Sequence, residues 1–113
     1  MNPLISEGVS PVIPDNKISN YLLDKQHKEG GSKAKYLERK GITEPDVLRD
    51  ILLRIWQEGK HISTEQTEHG TKHRLQLTIS LEHDVHLTLL TVWIITNANA
   101  KQANFVTAYP IHL

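Results

Sequence analysis

The residues best placed to do chemistry are in the stretch Gly30-Gly31-Ser32-Lys33-Ala34-Lys35, with His27 a few positions ahead of it. A helix start has unpaired N–H groups and a positive partial charge, so carboxylates usually sit there. Here two lysines do. Backbone N–H groups freed by glycine, together with an ammonium, would suit an anion. The spacing is not that of a Walker loop, and no strand feeds it. A histidine beside a phosphate-holding lysine is the minimum equipment for general acid–base attack on a phosphodiester. The plainer alternative is a Ser32-capped helix with solvated lysines after a solvated loop histidine.

A second group lies at the other end of the chain. In the closing strand, Phe105, Thr107 and Tyr109 fall on one face and Val106 and Ala108 on the other. If Val106 and Ala108 pack under helices, Thr107 and Tyr109 join Arg74, Gln76 and Thr78 on the open face. A hydroxyl, a phenol and a guanidinium there could bind phosphate and stack a base. The reverse arrangement buries Phe105 and Tyr109, and alternation does not choose between them. The seven histidines suggest no metal site. His83 and His86 would point to opposite faces of a strand, and no HExxH spacing occurs. No metal and no cofactor is expected.

Charge is balanced overall, with thirteen basic and thirteen acidic residues, but unevenly spread. Residues 16–40 carry a net +4 and residues 41–59 a net −2. Zero net charge argues against bulk polyanion binding, while a local basic surface can still hold a phosphate. The absence of cysteine excludes a disulfide scaffold, thiolate zinc and a cysteine nucleophile. The longest apolar run, Leu87–Ile95, is too short to span a bilayer, and no signal-peptide pattern opens the chain.

The elements that must position these groups follow from periodicity. Length fits a single domain over residues 1–113. Residues 1–14 read as an extended, proline-bearing arm, with Val9–Ile13 along a sheet edge. Residues 15–59 form a helical half. Asp15 or Asn16 caps a helix from Lys17 to about Asp24, on which Ile18, Tyr21 and Leu22 make the apolar stripe. Gly30–Gly31 breaks the chain before a helix over Lys33–Lys40, ended by Gly41. Thr43 opens a third, with Asp46 three residues on and Val47, Leu48, Ile51, Leu52, Ile55 and Trp56 as its stripe. After Gly59 the period changes to 2, and residues 60–113 read as sheet. Strands are expected at His61–Thr67, His73–Leu81, Val85–Thr96 and Asn104–Tyr109. The fold class is α+β, with about three N-terminal helices on one face of a four-stranded antiparallel β-meander.

Four motifs in order carry a resemblance: Lys17-Ile18-x-x-Tyr21-Leu22-Leu23, Gly30-Gly31-Ser32-Lys33-Ala34, Val92-Trp93-Ile94-Ile95 and Val106-Thr107-Ala108-Tyr109-Pro110. From about residue 12 to 110 the chain resembles an uncharacterised bacterial domain family found alone and at the C-termini of polymorphic toxins. The closing strand after a helical half is also similar to the barnase, EndoU, colicin and RelE-like toxin ribonucleases. That group places N-terminal helices on a four-stranded sheet and cleaves RNA without metal. The resemblance implies His27 as the acid–base group, Lys33 with Lys17 on the phosphate, and Thr107 on the last strand. The neutral charge and the lack of a counterpart for a second catalytic histidine depart from the pattern.

The expected function is therefore a metal-independent, toxin-like ribonuclease. His27, Lys33 and Thr107 would be its catalytic residues, and Lys17, Arg74 and Tyr109 would bind substrate. The alternative is a noncatalytic binding or oligomerisation module on the same fold. RNA, a cognate immunity or other partner protein, and a second copy of the chain are the partners considered, with no membrane. The expected location is cytoplasmic, in a target cell if the chain belongs to a toxin.

Overall fold

A computed structural model describes residues 2–28 and 31–111. The chain begins with a one-turn helix, α1 (Pro3–Ser6), and a short strand, β1 (Ser10–Val12). Next comes a helical turn, α2 (Asp15–Lys17), which runs directly into a π-helical turn at Ile18–Leu22. Two full helices follow, α3 (Gly31–Arg39) and α4 (Pro45–Glu58). The rest is sheet: β2 (Lys60–Thr67), β3 (Gly70–Ser80), β4 (His86–Thr96) and β5 (Gln102–Pro110).

The sheet has five strands in the order β1-β5-β4-β3-β2. Strands β2 to β5 form the antiparallel meander that the alternation implies. The expected four-stranded sheet is corrected by β1, which pairs parallel to β5 through Ser10↔Gln102 to Val12↔Asn104 and makes the sheet mixed. The opening arm is pinned rather than merely extended. The buried Asn2 side chain accepts from Leu4 N at 2.9 Å and donates to Trp56 O at 3.1 Å. Pro3 occupies the first helical turn, where its missing N–H costs nothing.

The core lies between the helices and one sheet face. Leu48, Leu52, Ile55 and Trp56 of α4 are buried together with Leu75, Ile79, Leu87, Leu89 and Trp93 of the sheet. Three rings mark its centre: Trp56–Trp93 centroids are 5.0 Å apart and Trp93–Phe105 centroids 5.3 Å. Such ring pairs add about 0.5–1.5 kcal/mol each beyond area burial.

Helix starts differ from the capping signals. The residue before α4 is Glu44, which makes no side-chain cap bond, and Pro45 fixes the first turn in place of Thr43. Asp15 does not cap; its carboxylate pairs with Arg49. Ser32 lies inside the first turn of α3, since that helix begins at Gly31. Gly30 lies outside the described residues. The end of α3 follows the signal closely. Gly41, at φ 83°, donates to Glu38 O, and Ile42 N donates to Leu37 O. Both freed carbonyls are satisfied and Ile42 is buried beside the helix.

Candidate functional site

The site is built by two local irregularities, one in a helical turn and one in a strand. The first is the π turn. Leu23 N donates to Ile18 O, five residues back, at 2.9 Å. Ile18 and Leu22 keep their place in the core, while Tyr21 is left half-buried at its rim. Single π turns of this kind are frequent at functional positions.

The second is a β-bulge in β5. Trp93 pairs with Phe105 but Val92 pairs with Thr107, so Val106 is an extra residue on the bulged strand. The bulge breaks the alternation. Phe105 joins Trp93 on the helix-facing side. Thr107 and Tyr109, opposite Val92 and Leu90, take the other face. Neither simple facing of the last strand is therefore correct: Phe105 is core, and Thr107 and Tyr109 are not on its side.

Beyond Asn104 no described strand continues along the free edge of β5. The α2–π-turn segment and α3 pack there instead, and three polar groups meet. Lys33 Nζ donates to the Tyr21 phenol oxygen and to Thr107 Oγ1, both at 2.8 Å. The Tyr21 and Thr107 oxygens are 2.9 Å apart, close enough to share a hydrogen bond. Around this triangle are His27, whose ring centroid is 4.9 Å from that of Tyr21, and Lys17, whose ammonium is 5.5 Å from the Tyr21 ring. Tyr109 lies under the Lys33 ammonium at 4.2 Å and is 46% exposed. A groove of about 440 Å³ opens here, lined by Lys17, Asn20, Tyr21, His27, Thr107 and Tyr109, among others.

The electrostatics follow from that packing. Burial alone would push the Tyr21 phenol up. The hydrogen bonds from Lys33 and Thr107, and the charges of Lys33 and Lys17, outweigh it and hold the phenol below its ordinary value of 10.0. This environment favours a phenolate and makes the phenol a readier proton donor than a free tyrosine.

Of the candidate residues, the structure thus brings His27, Thr107, Lys17 and Tyr109 to one groove, with Lys33 at its edge bonded to Tyr21 and Thr107. Arg74 is not among them. It shares the Thr107 face through the pairs Arg74↔Val92↔Thr107, two strands and roughly 10 Å away. Its guanidinium turns to β2 instead, to Glu65 at 2.6 Å and Ser63 at 3.5 Å. There it holds the Glu65 carboxyl below the usual carboxylate range.

The expectation of an anion site on glycine-freed N–H groups is also revised. Gly31 N donates to His27 O at 2.9 Å, so that group is already used. What Gly31 provides is a close approach, since a Cβ there would come within 2.7 Å of Lys25 O. The missing side chain lets the loop carrying His27 lie against the start of α3.

Sequence reasoning missed Tyr21 as a polar member of the site. The apolar period placed it on a buried stripe, and only the π turn leaves its oxygen free to reach β5. Among the described residues, no three His, Cys, Asp or Glu side chains converge as a metal would require. No helix among them is long and apolar enough to cross a membrane.

These observations define a class: an α+β domain with N-terminal helices over a bulged sheet and an ammonium–phenol–hydroxyl cluster on its last strand. The chain belongs to the family described as "Domain of unknown function (DUF6883)", matched over residues 7–112. No curated relative matches. Among solved structures the chain is similar to one from a contact-dependent growth inhibition toxin–immunity protein complex of Klebsiella pneumoniae 342, with a TM-score of 0.68 and 10% identity, covering 88% of this chain and 99% of that one. At that identity the likeness is one of fold.

Proposed function

We propose that the chain is a toxin-type endoribonuclease that cleaves RNA without metal. The observation that carries the reading is the Lys33–Tyr21–Thr107 triangle with His27 against the same phenol. The fold likeness to a member of a toxin–immunity complex supports the toxin context.

The chemistry is an intramolecular displacement. His27 accepts the proton of a ribose 2′-hydroxyl as its oxygen bonds to phosphorus. The bond from phosphorus to the 5′-oxygen breaks, and the Tyr21 phenol gives its proton to that leaving oxygen. The products are a 2′,3′-cyclic phosphate and a 5′-hydroxyl end. Lys33 offsets charge on the phosphoryl oxygens and, with Lys17, stabilises the phenolate left behind. Thr107 holds the ammonium in place. Tyr21 thereby fills the role for which no second histidine is present.

The test is incubation of the purified protein with tRNA and total RNA in chelator, with end-group analysis. Cyclic phosphate ends formed by the wild type, and lost in His27→Ala and Tyr21→Phe, are expected. Intact RNA, or equal cleavage by all three proteins, overturns the reading. A noncatalytic binding module is the second reading, favoured by the structural neighbour's being half of a two-protein complex. A stable complex with a partner protein and no cleavage, seen by light scattering, would select it.

A further inference from the structure

The groove beside Tyr21 does not end at Lys33. On the far side of that side chain is a second hollow of about 330 Å³, lined by Ser32, Lys33, Tyr36, Arg39 and Pro110. Lys33 lines this hollow, and its ammonium caps the Tyr109 ring that lines the first. The two hollows meet at this pair.

The wall between them is one face of α3. Lys33, Tyr36 and Arg39 follow one another at three-residue steps along it and line the second hollow. Lys33 and Arg39 are about 9 Å apart along the helix axis at 1.5 Å per residue. The Arg39 guanidinium lies 5.9 Å and the Lys40 ammonium 5.6 Å from the Tyr36 ring, so the ring gathers cations at the rim.

Charge separates this face from the rest of the helical half. Among the described residues, neither hollow is lined by an aspartate or glutamate. Three described carboxylates of the helical half are engaged elsewhere, Asp24 accepting from Gln26 N at 2.9 Å. Glu38 pairs with Lys25 at 2.8 Å and lines a different hollow with Ala34 and Ile42, and Asp15 pairs with Arg49. The result is a cationic track, Lys17–Lys33–Arg39, with exposed aromatic surface at Tyr109 beside its midpoint.

We infer that the ligand of this surface is a single nucleic-acid strand crossing Lys33, with a second phosphate held by Arg39 in the Ser32–Tyr36 hollow. This rests on the ribonuclease reading for the position of the first phosphate and extends it to a neighbouring subsite. A spaced row of cations with an exposed ring fits a flexible strand, whose phosphates and bases are both accessible. A single small anion would need only Lys33.

The experiment is fluorescence anisotropy with labelled oligodeoxyribonucleotides of two and four residues, which lack the 2′-hydroxyl and so are not cleaved. Wild type should bind the tetramer more tightly than the dimer. Arg39→Gln should weaken tetramer binding about fivefold more than dimer binding and reduce the steepness of its salt dependence by roughly 0.7. Arg39→Lys should restore part of the difference. Arg54→Gln, at an exposed residue paired with Glu58 on α4, should leave both affinities unchanged. Equal weakening of dimer and tetramer, or none, overturns the second subsite. Cleavage of the all-ribose tetramer is read in parallel. If Arg39→Gln behaves as expected and the wild type cleaves nothing, the ribonuclease reading falls and the strand track stands. If cleavage occurs and Arg39→Gln matches wild type, the track alone falls.

Discussion

Two strands of the sheet carry a bulge, and the two bulges do different things. In β5 the extra residue is Val106, and it sends Phe105 and Thr107, two positions apart, to opposite faces. In β2 the extra residue is Ile62, and it brings His61 and Thr64, three apart, to the same face, opposite Leu75 and His73. There His61 Nε2 lies 3.0 Å from His73 Nδ1, and Thr64 Oγ1 lies 3.3 Å from the first ring. Both bulges thus assemble a polar cluster that period-2 counting would not. The β5 cluster gathers cations around a phenol in a groove that, among the described residues, no carboxylate lines. The β2 cluster sits at an edge strand, where the Glu7 carboxylate acts on His73. A bulge re-aims side chains in either place, and the surrounding charge decides whether the result can bind an anion.

Loss of the core ring that the β5 bulge places beside Trp93 breaks the comparison most severely. Phe105→Ala empties a fully buried position between the sheet and the helices. It should destabilise by about 3–5 kcal/mol, the range for losing a core aromatic, measured by urea denaturation. Ile62→Ala, at the extra residue of the edge strand, should cost about 1 kcal/mol or less, because Ile62 is exposed. Equal costs would show that the residues around the β5 bulge have no special place in packing.

Lys33→Met sharpens the comparison at the site. RNA cleavage should fall by about 10²-fold or more, as for removal of one preorganised charge-stabilising group. His61→Gln, in the other cluster, should leave the rate within about twofold of wild type. The same Lys33 variant carries a spectroscopic signature. In the wild type, one of three tyrosines should ionise below the ordinary phenol value, and in Lys33→Met that titration should move up. An unmoved titration would sever Tyr21 from Lys33.

The smallest effect belongs to the histidine pair. Burial and the neighbouring His61 hold His73 below its ordinary value of 6.5, against the opposing pull of Glu7. As pH falls, the unfolded chain therefore takes up the proton first. Stability present above about pH 6.5 is lost as pH drops through the folded value. Replacing His73 by Phe should flatten that part of the stability–pH curve, and an unchanged curve would assign the slope to other groups.

How much of this is legible in the sequence differs from element to element. Helix α4 is legible because Leu48, Ile51, Leu52, Ile55 and Trp56 repeat at the helical period and all are buried, although Val47, read onto the same stripe, is exposed. The meander is legible because Leu75, Leu77 and Ile79 alternate with polar residues, and the end of α3 because Gly41 accepts a positive φ. His27, Lys33 and Thr107 stand out by residue type and family resemblance, but their convergence depends on how a loop packs, which no local pattern dictates. Alternation puts Arg74 on the right face, yet its guanidinium goes to Glu65, a cross-strand neighbour that local spacing does not reveal.

Local propensity and hydrophobic period determined, from the sequence by itself, which stretches are helix or strand and most of what is core, because both act over a few neighbouring residues. Only the tertiary structure decided that β1 closes the sheet in parallel, that Val106 bulges, and that Tyr21 turns its oxygen to Thr107 and Lys33. The first and third bring together groups far apart in the chain, such as Ser10 with Gln102 and Tyr21 with Thr107, and the second depends on how β5 fits both β4 and the core. They are settled by which arrangement buries Phe105 and Ile18 while satisfying the polar atoms around them, a condition that exists only once the helices and the sheet have met.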